Sequence, residues 1–282
     1  MKARLRTLFA GVNLIGDTVT QTPALHRYRR LHPDEEVHWL MQDGPARALF
    51  EDMPRMGACD QVLFDADWER IQRMDYEGYD KRIRMDVQEA FRIGRDQQLH
   101  IAQAYGRMIG VELGAPDIRP HVPVRPDALG ELGVPPRCLV ISPLSSSNAP
   151  MEGIAGNKNL PWTAWGVLVE RFVQSGRIAN YVVLLRDTDP APGIPLCVLR
   201  LSLAAAVAYI ARACAEGGAY AGVDNGITHL AAGLRVPTVC VYPEALTPGW
   251  VGYAGFDHYR LARTRPWRGD VDHIWSAWRT RL

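Results

Sequence analysis

The stretch that decides the fold is Tyr220-Ala-Gly-Val-Asp-Asn-Gly-Ile-Thr-His-Leu-Ala-Ala232. Ala219 to Val223 are small and apolar, as a buried parallel strand requires, and a helix-forming run, Ile227 to Leu234, follows the polar triplet Asp224-Asn225-Gly226. Gly226 lets a ligand come close to the backbone, and the first N–H groups of the helix point where an anion would sit. A phosphate is the natural ligand. Asp224, at the carboxyl end of a strand in an open α/β sheet, stands where it could hold a sugar or ribose hydroxyl. His229 lies one turn in from Gly226 on the same helical face, within reach of the same anion. A plainer reading stays open at this level: Asp224 and Asn225 cap the helix, and His229 is structural.

Upstream of this unit the chain repeats the strand-helix rhythm. Cys138 to Ser142 reads as a strand, followed by a polar loop from Ser145-Ser-Ser-Asn148 through Asn159 and a helix carrying Trp162, Trp165, Leu168 and Phe172. Tyr181 to Leu185 is a strand, and Ser202 is the expected cap of a helix running to Ala215. Thr238 to Tyr242 closes the series. The arginine-rich tail, Tyr259 to Leu282, reads as a solvated amphipathic helix.

Before residue 116 lies a second α/β region. Leu5 to Phe9 is its first strand, and a helix with Leu25, Tyr28 and Leu31 on one face follows the segment Ala10 to Thr18. Either Asp17 starts that helix or Thr22 caps it with Pro23 at its first position. Val37 to Met41 and Val62 to Phe64 are further strands, with a short helix at Pro45 to Phe50 between them. Trp68 to Val111 is charged and helix-prone; Ile93, Leu99, Ile101, Ala102, Tyr105 and Met108 form an apolar stripe suited to core packing, and His100 reads as structural. Pro116 to Pro136 holds six prolines and little periodicity, the mark of a linker. The domains predicted are therefore 1–125 and 126–282, with the C-terminal helix free to pack back on the first.

Composition narrows the function. With 47% hydrophobic and 22% charged residues over 282 positions, the chain is ordinary globular protein long enough for two modest domains. Residues 1–125 carry 18 basic against 19 acidic side chains and the remainder 14 against 12, so tight non-specific binding to nucleic acid is not indicated. The five cysteines show no CxxC pair, which argues against a disulfide framework or zinc site and fits a reducing cytoplasm. Leu8 to Ile15 is too short and too interrupted for a signal peptide, and no run approaches a membrane span. No GxGxxG or GxxxxGK is present, which disfavours an NAD oxidoreductase and the nucleoside-triphosphate fingerprint. Three D-x-D triplets, Asp65-Ala-Asp67, Asp187-Thr-Asp189 and Asp270-Val-Asp272, could hold a divalent ion but arise easily by chance, and no metal is assigned. Lysine is rare: 29 arginines stand against three lysines, which singles out Lys158.

Four stretches together resemble glycosyltransferase family 9, the ADP-heptose:lipopolysaccharide heptosyltransferases. They are Ile15-Gly-Asp-Thr-Val-Thr-Gln-Thr-Pro-Ala-Leu25 with Tyr28 and His32-Pro33-Asp34; Asn157-Lys-Asn-Leu-Pro-Trp-Thr-Ala-Trp165; Val223 to Leu234 with Val236-Pro237; and Tyr242-Pro to Gly249-Trp250. The resemblance implies a GT-B fold, two Rossmann-like domains facing across a cleft, the first binding acceptor and the second a nucleotide sugar.

It further implies an inverting, metal-independent transfer without a cofactor, from an ADP- or UDP-linked nucleotide sugar, with heptose the expected sugar and a glycan or lipid-linked acceptor such as lipopolysaccharide core. Such a transfer needs a base for the acceptor hydroxyl and a cationic or dipolar partner for the departing diphosphate. By resemblance Asp17 is the base, with Gly16 and Thr18 beside it on the acceptor side. Lys158 matches the lysine that meets the diphosphate, Ser145, Ser146 and Ser147 match the phosphate-binding loop, and Asp224, Asn225, Gly226 and His229 match the donor motif. Glu244 stands where the family more often has a glycine-rich loop and could hold a ribose hydroxyl. The shortened acceptor half, with a helical insert over residues 86 to 112, leaves three alternatives: a phage-type transfer to a modified DNA base, for which nucleic acid would be the partner, a sugar-nucleotide epimerase, and a non-catalytic nucleotide-binding module. Peripheral membrane contact is compatible with a lipid-linked acceptor.

Overall fold

The computed structural model describes residues 4–11, 14–145, 159–243, 252–253, 256, 259–264 and 271–279. The chain divides into two compact units, one running to Pro123 and one starting at Val124.

Among the described residues the first unit is built on four parallel strands, β1 (Arg6–Ala10), β2 (Glu36–Gln42), β3 (Gln61–Asp65) and β4 (Lys81–Arg84), in the order β3-β2-β1-β4. β1 and β2 are the apolar centre, aligned Leu8 to His38 and Phe9 to Trp39, and both are almost wholly buried. α1 (Ile15–Leu31) and α2 (Arg47–Phe50) follow the first two strands, α3 (Trp68–Arg73) the third, and α4 (Val87–Gln97) and α5 (Ile101–Met108) the fourth.

α1 contains Pro23 in its interior. Proline lacks the N–H that would bond the carbonyl four residues back. The Thr22 hydroxyl supplies that bond instead, donating to the Val19 carbonyl at 2.8 Å, and Thr22 Oγ1 in turn accepts the His121 N–H at 2.9 Å. Thr22 is therefore not a cap with Pro23 opening the helix; it repairs the gap that Pro23 makes. The helix starts at Ile15, which puts Asp17 in its first turn, where a carboxylate suits the positive end of the helix dipole, and Arg29 and Arg30 in its last.

β4 is a strand where the sequence reads as helix-prone. Its residues, Lys-Arg-Ile-Arg, carry charge because this edge of the sheet faces water on all but the Ile83 side chain. The insert beyond it is helical as expected. α5 packs on α1 and α4 packs on α5. His100 caps α5, accepting the Ala102 N–H at 3.1 Å while the Gln103 side chain accepts the His100 N–H at 3.0 Å, which bears out its structural reading.

At the amino ends of these strands Glu35 is buried with three donors on its carboxylate. Thr7 and Tyr28 hydroxyls lie at 2.7 Å and Lys81 Nζ at 2.6 Å. Burial pushes the Glu35 pKa up, but the bonds from Lys81, Thr7 and Tyr28 outweigh it and hold the carboxyl at about 2. The cluster ties β1, α1 and β4 together.

Among the described residues the second unit has six parallel strands: β5 (Cys138–Ser142), β6 (Asn180–Leu185), β7 (Val198–Arg200), β8 (Ala219–Val223), β9 (Thr238–Pro243) and β10 (Tyr259–Thr264). Their order is β10-β9-β8-β5-β6-β7. The chain winds outward from β5 through β6 to β7, returns to the other side of β5 as β8, and winds out again, which is the doubly wound order of a dinucleotide-type fold. Alternate residues of β5 serve opposite faces. Leu139 and Ile141 join Trp165, Leu168 and Phe172 of α6 (Trp162–Gln174), while Cys138 and Val140 join Tyr209 and Ile210 of α7 (Leu203–Ala215). Both faces are covered, so these strands read as continuous apolar runs.

Two expectations about the tail are overturned. Residues 259–264 form β10, paired in register with β9, and only Val271–Arg279 is helical (α9). Nor is that helix solvated: Ile274 is fully buried in the α6 face of the core, Trp275 lies 5.2 Å from Phe172, and Arg171 pairs with Asp272 at 2.6 Å. α9 thus packs on α6 of its own unit, where an apolar stripe on the helix finds the open sheet face next to β10.

Candidate functional site

In the second unit the winding direction reverses between β5 and β8. In open α/β sheets, the two loops leaving such a reversal point diverge and leave a crevice at the carboxyl edge. Those loops begin here at Ser142 and at Asp224, and α8 (Gly226–Gly233) starts inside the crevice.

Asn225 holds the crevice together. Its side-chain oxygen accepts the Thr228 N–H at 2.9 Å and caps α8. Its Nδ2 donates to Ser142 Oγ at 2.9 Å and to the Leu144 carbonyl at 2.9 Å, fastening the loop after β5 to the mouth of the helix. Next to Leu144, the Ser145 N–H donates to Asn159 Oδ1 at 2.7 Å. The Asn225 amide is thus spent on architecture.

The helix is locked to its strand from beneath. Tyr220 and Thr228 hydroxyls meet at 2.9 Å, and Thr228 donates to the Val223 carbonyl at 2.6 Å. Gly222 makes room for that pair: a Cβ there would lie 2.5 Å from the Tyr220 hydroxyl and 2.9 Å from Thr228 Oγ1. The lock fixes the direction in which the first N–H groups of α8 point, and the first two of them, Gly226 and Ile227, precede the turn in which an intrahelical acceptor is available.

Asp224 does not cap. It is 5% exposed, and its Oδ1 lies 3.6 Å from Nε2 of His229, itself 7% exposed. The other ring nitrogen, Nδ1, lies 2.9 Å from the hydroxyl of the fully buried Tyr253. Tyr253 escaped the sequence reading because it belongs to no periodic element, and its chain distance from His229 hides the contact. Of the residues expected at this site, the fold brings Ser145, Asp224, Asn225, Gly226 and His229 to the same carboxyl edge; Ser146, Ser147, Lys158 and Glu244 lie outside the described residues.

The first unit repeats the geometry on a smaller scale. Its winding reverses between β1 and β4, and Asp17 follows β1 while Asp86 follows β4. Gly16 and Asp17 are half-exposed in the first turn of α1. Thr18 is buried and its hydroxyl donates to the Leu14 carbonyl at 3.0 Å, so that hydroxyl is directed into the helix. Asp86 caps α4, accepting the Gln88 N–H at 2.8 Å, and pairs with Arg84 at 2.7 Å. Tyr105 of α5 is fully buried nearby; burial, with the Asp17 and then the Asp86 carboxylate adding to it, raises its pKa well above the ordinary value for a phenol. Sequence reasoning placed Tyr105 in the core and passed over Asp86 and Gln21, although Gln21 stands one helical turn beyond Asp17. Beneath this corner, Gly11 admits the Gln21 amide and the Trp39 indole, each 2.8 Å from where a Cβ would project.

Two of the D-x-D triplets are occupied locally. Asp65 accepts from the Tyr76 hydroxyl at 2.7 Å and the Asp67 N–H at 2.8 Å, Asp67 caps α3 through the Arg70 N–H, and Asp189 pairs with Arg186. Among the described residues no cluster of three or more His, Cys, Asp or Glu side chains could hold a metal ion.

Two parallel α/β units, each with polar residues gathered at the carboxyl edge of a reversal point, define the class of fold. No family model and no curated protein sequence matches the chain. Solved structures do. The E. coli ADP-heptose lps heptosyltransferase II matches at a TM-score of 0.68 and 14% identity, covering 97% of this chain and 98% of that one. E. coli heptosyltransferase WaaC with ADP matches at 0.64 and 17%, covering 99% and 100%. The glycosyl transferase family 9 from Veillonella parvula DSM 2008 matches at 0.63 and 14%, covering 92% and 86%. At these identities the likeness is one of fold, and it extends over nearly the whole chain.

Proposed function

We propose that the protein is an inverting, metal-independent glycosyltransferase of the GT-B type, transferring a sugar from a nucleotide sugar, with ADP-heptose as the leading donor, to a hydroxyl of lipopolysaccharide core or a similar glycan. The observation that carries the reading is the crevice between β5 and β8. A helix mouth, a buried carboxylate and a buried imidazole converge there, on a fold shared with heptosyltransferases. A helix N-terminus favours a diphosphate, and a carboxylate beside it suits a sugar or ribose hydroxyl.

In the chemistry so assigned, the acceptor oxygen attacks the anomeric carbon and its proton passes to Asp17. The bond from that carbon to the phosphate oxygen breaks, and the electron pair leaves on the nucleoside diphosphate. Lys158, the α8 N-terminus and the loop of Ser145, Ser146 and Ser147 stabilise the negative charge. Asp224 and Glu244 hold hydroxyls of the donor. No helix among the described residues is long and apolar enough to cross a membrane, and a lipid-linked acceptor would be met at the membrane surface. The reaction is placed in the cytoplasm, where nucleotide sugars are made.

A thermal-shift series with ADP-, UDP- and GDP-sugars tests the donor, since a ligand at a hundred times its Kd stabilises by about 2.7 kcal/mol. Asp17→Ala should abolish transfer yet bind ADP as wild type does, whereas Lys158→Ala should weaken ADP binding. Turnover of Asp17→Ala above about a tenth of wild type would refute the base, which should supply about a hundredfold or more. A protein that no nucleotide stabilises would refute the function.

A further inference from the structure

The Tyr253 hydroxyl, 2.9 Å from Nδ1 of His229, belongs to a side chain with no solvent exposure whose ring meets the imidazole edge-on, centroids 5.7 Å apart at 81°. Phe256 stacks on Tyr253 with ring centroids 5.3 Å apart. The phenol is therefore held in place rather than sampling rotamers. On the opposite side of the imidazole, Nε2 faces Asp224 Oδ1 at 3.6 Å. One tautomer is electrostatically compatible with both neighbours. A lone pair on Nε2 would oppose the carboxylate, while a hydrogen on Nε2 points toward it, and Nδ1 is then the acceptor that a phenol can fill.

We propose that Tyr253 is a positioning residue for the donor site: by donating to Nδ1 it fixes His229 as the Nε2–H tautomer and holds that N–H toward Asp224, which keeps the carboxylate set for a hydroxyl of the donor beside the mouth of α8, where the nucleoside diphosphate of the proposed function would bind. The inference rests on the diphosphate reading of the crevice. Among the described residues, the ionisable groups recorded against the imidazole are Asp224 after β8 and Tyr253 itself, with Cys240 of β9 beside the phenol. Burial, then the Asp224 and Cys240 charges, push the Tyr253 pKa well above that of a free phenol, so its O–H stays protonated and able to donate.

Ring-nitrogen NMR on the full chain reads the tautomer directly. The signals of His229 are picked out from the eight histidines by their loss in His229→Gln. In the wild type at neutral pH, Nδ1 should show the shift of an unprotonated nitrogen and Nε2 that of a protonated one. Tyr253→Phe, which removes one oxygen and keeps the packing, should move the two shifts toward each other and weaken ADP binding about two- to tenfold, the worth of one hydrogen bond. A wild-type Nδ1–H tautomer, or unchanged shifts in Tyr253→Phe, would overturn the inference even if ADP binds. Wild-type α8 resonances that ignore ADP would overturn the diphosphate reading itself, and with it the purpose of the positioning. The wild-type measurement needs no variant to fold.

Discussion

Asn225 does two jobs with one amide, and they can be separated. Its oxygen caps α8, and its nitrogen pins the loop after β5 through Ser142 and Leu144. Asn225→Ala removes both. An N-cap is worth about 1 kcal/mol, and each partly buried hydrogen bond about 0.5–1.5 kcal/mol, so the loss should come to about 2–4 kcal/mol. Asn225→Asp keeps the cap and suits the helix dipole, but replaces the donor with an acceptor facing the Ser142 oxygen and the Leu144 carbonyl. It should lose the loop and spare the helix. Urea unfolding gives the stability of both variants; amide exchange, read separately over α8 and over the loop after β5, localises the damage. Isothermal titration with ADP gives the functional consequence: both variants should bind more weakly, because the loop that carries the serines is no longer fastened to the helix mouth. If Asn225→Asp matched wild type in loop protection and ADP affinity, the clamp would play no part in the site.

Glu35 gives a pH prediction in the first unit. Its folded pKa of about 2 lies below the ordinary 4.5, so its contribution is full at pH values above about 4.5 and is lost as pH falls through 2. The shift of 2.5 units would correspond to about 3.4 kcal/mol, and a discount for the half-exposed Lys81 brings it to about 2 kcal/mol. Glu35→Gln should therefore be less stable than wild type at neutral pH by about that amount, with the gap closing toward pH 2; a gap independent of pH in urea titrations would contradict the network. Gly11→Ala should destabilise by about 1–3 kcal/mol, because its methyl would press on the buried Gln21 amide and Trp39 indole at 2.8 Å. An unchanged melting temperature would show that this corner has slack.

Much of the second unit was legible because its strands are buried on both faces. Cys138–Ser142 and Ala219–Val223 are small, apolar and bounded by polar turns, and both occur where the pattern puts them. Ser202 caps α7 by accepting the Ala205 N–H, as its type and place suggest. The missed strands share a cause. β4 is charged, β7 has only three residues, and β10 is rich in arginine; each lies at an edge, where hydrophobicity is not required of a strand. Pro23 left the start of α1 open between Asp17 and Thr22, because the repair by the Thr22 hydroxyl is a side-chain event invisible to propensity. At the candidate site, local order along the chain singled out Asp224, Asn225 and His229, but Tyr253 comes from a distant segment and only tertiary structure places it against the imidazole.

The edge strand β4 has a colloidal consequence. An open sheet edge presents unpaired N–H and C=O groups, an invitation for another strand to add on. Here that edge is lined with Lys81, Arg82 and Arg84. Glu35 partly neutralises Lys81 and Asp86 partly neutralises Arg84, while Arg82 has no ion-pair partner among the described residues. Arg82 is thus the principal electrostatic guard of the first sheet. The composition that disguised β4 as something other than a strand is also what discourages two copies of this chain from zipping together along it.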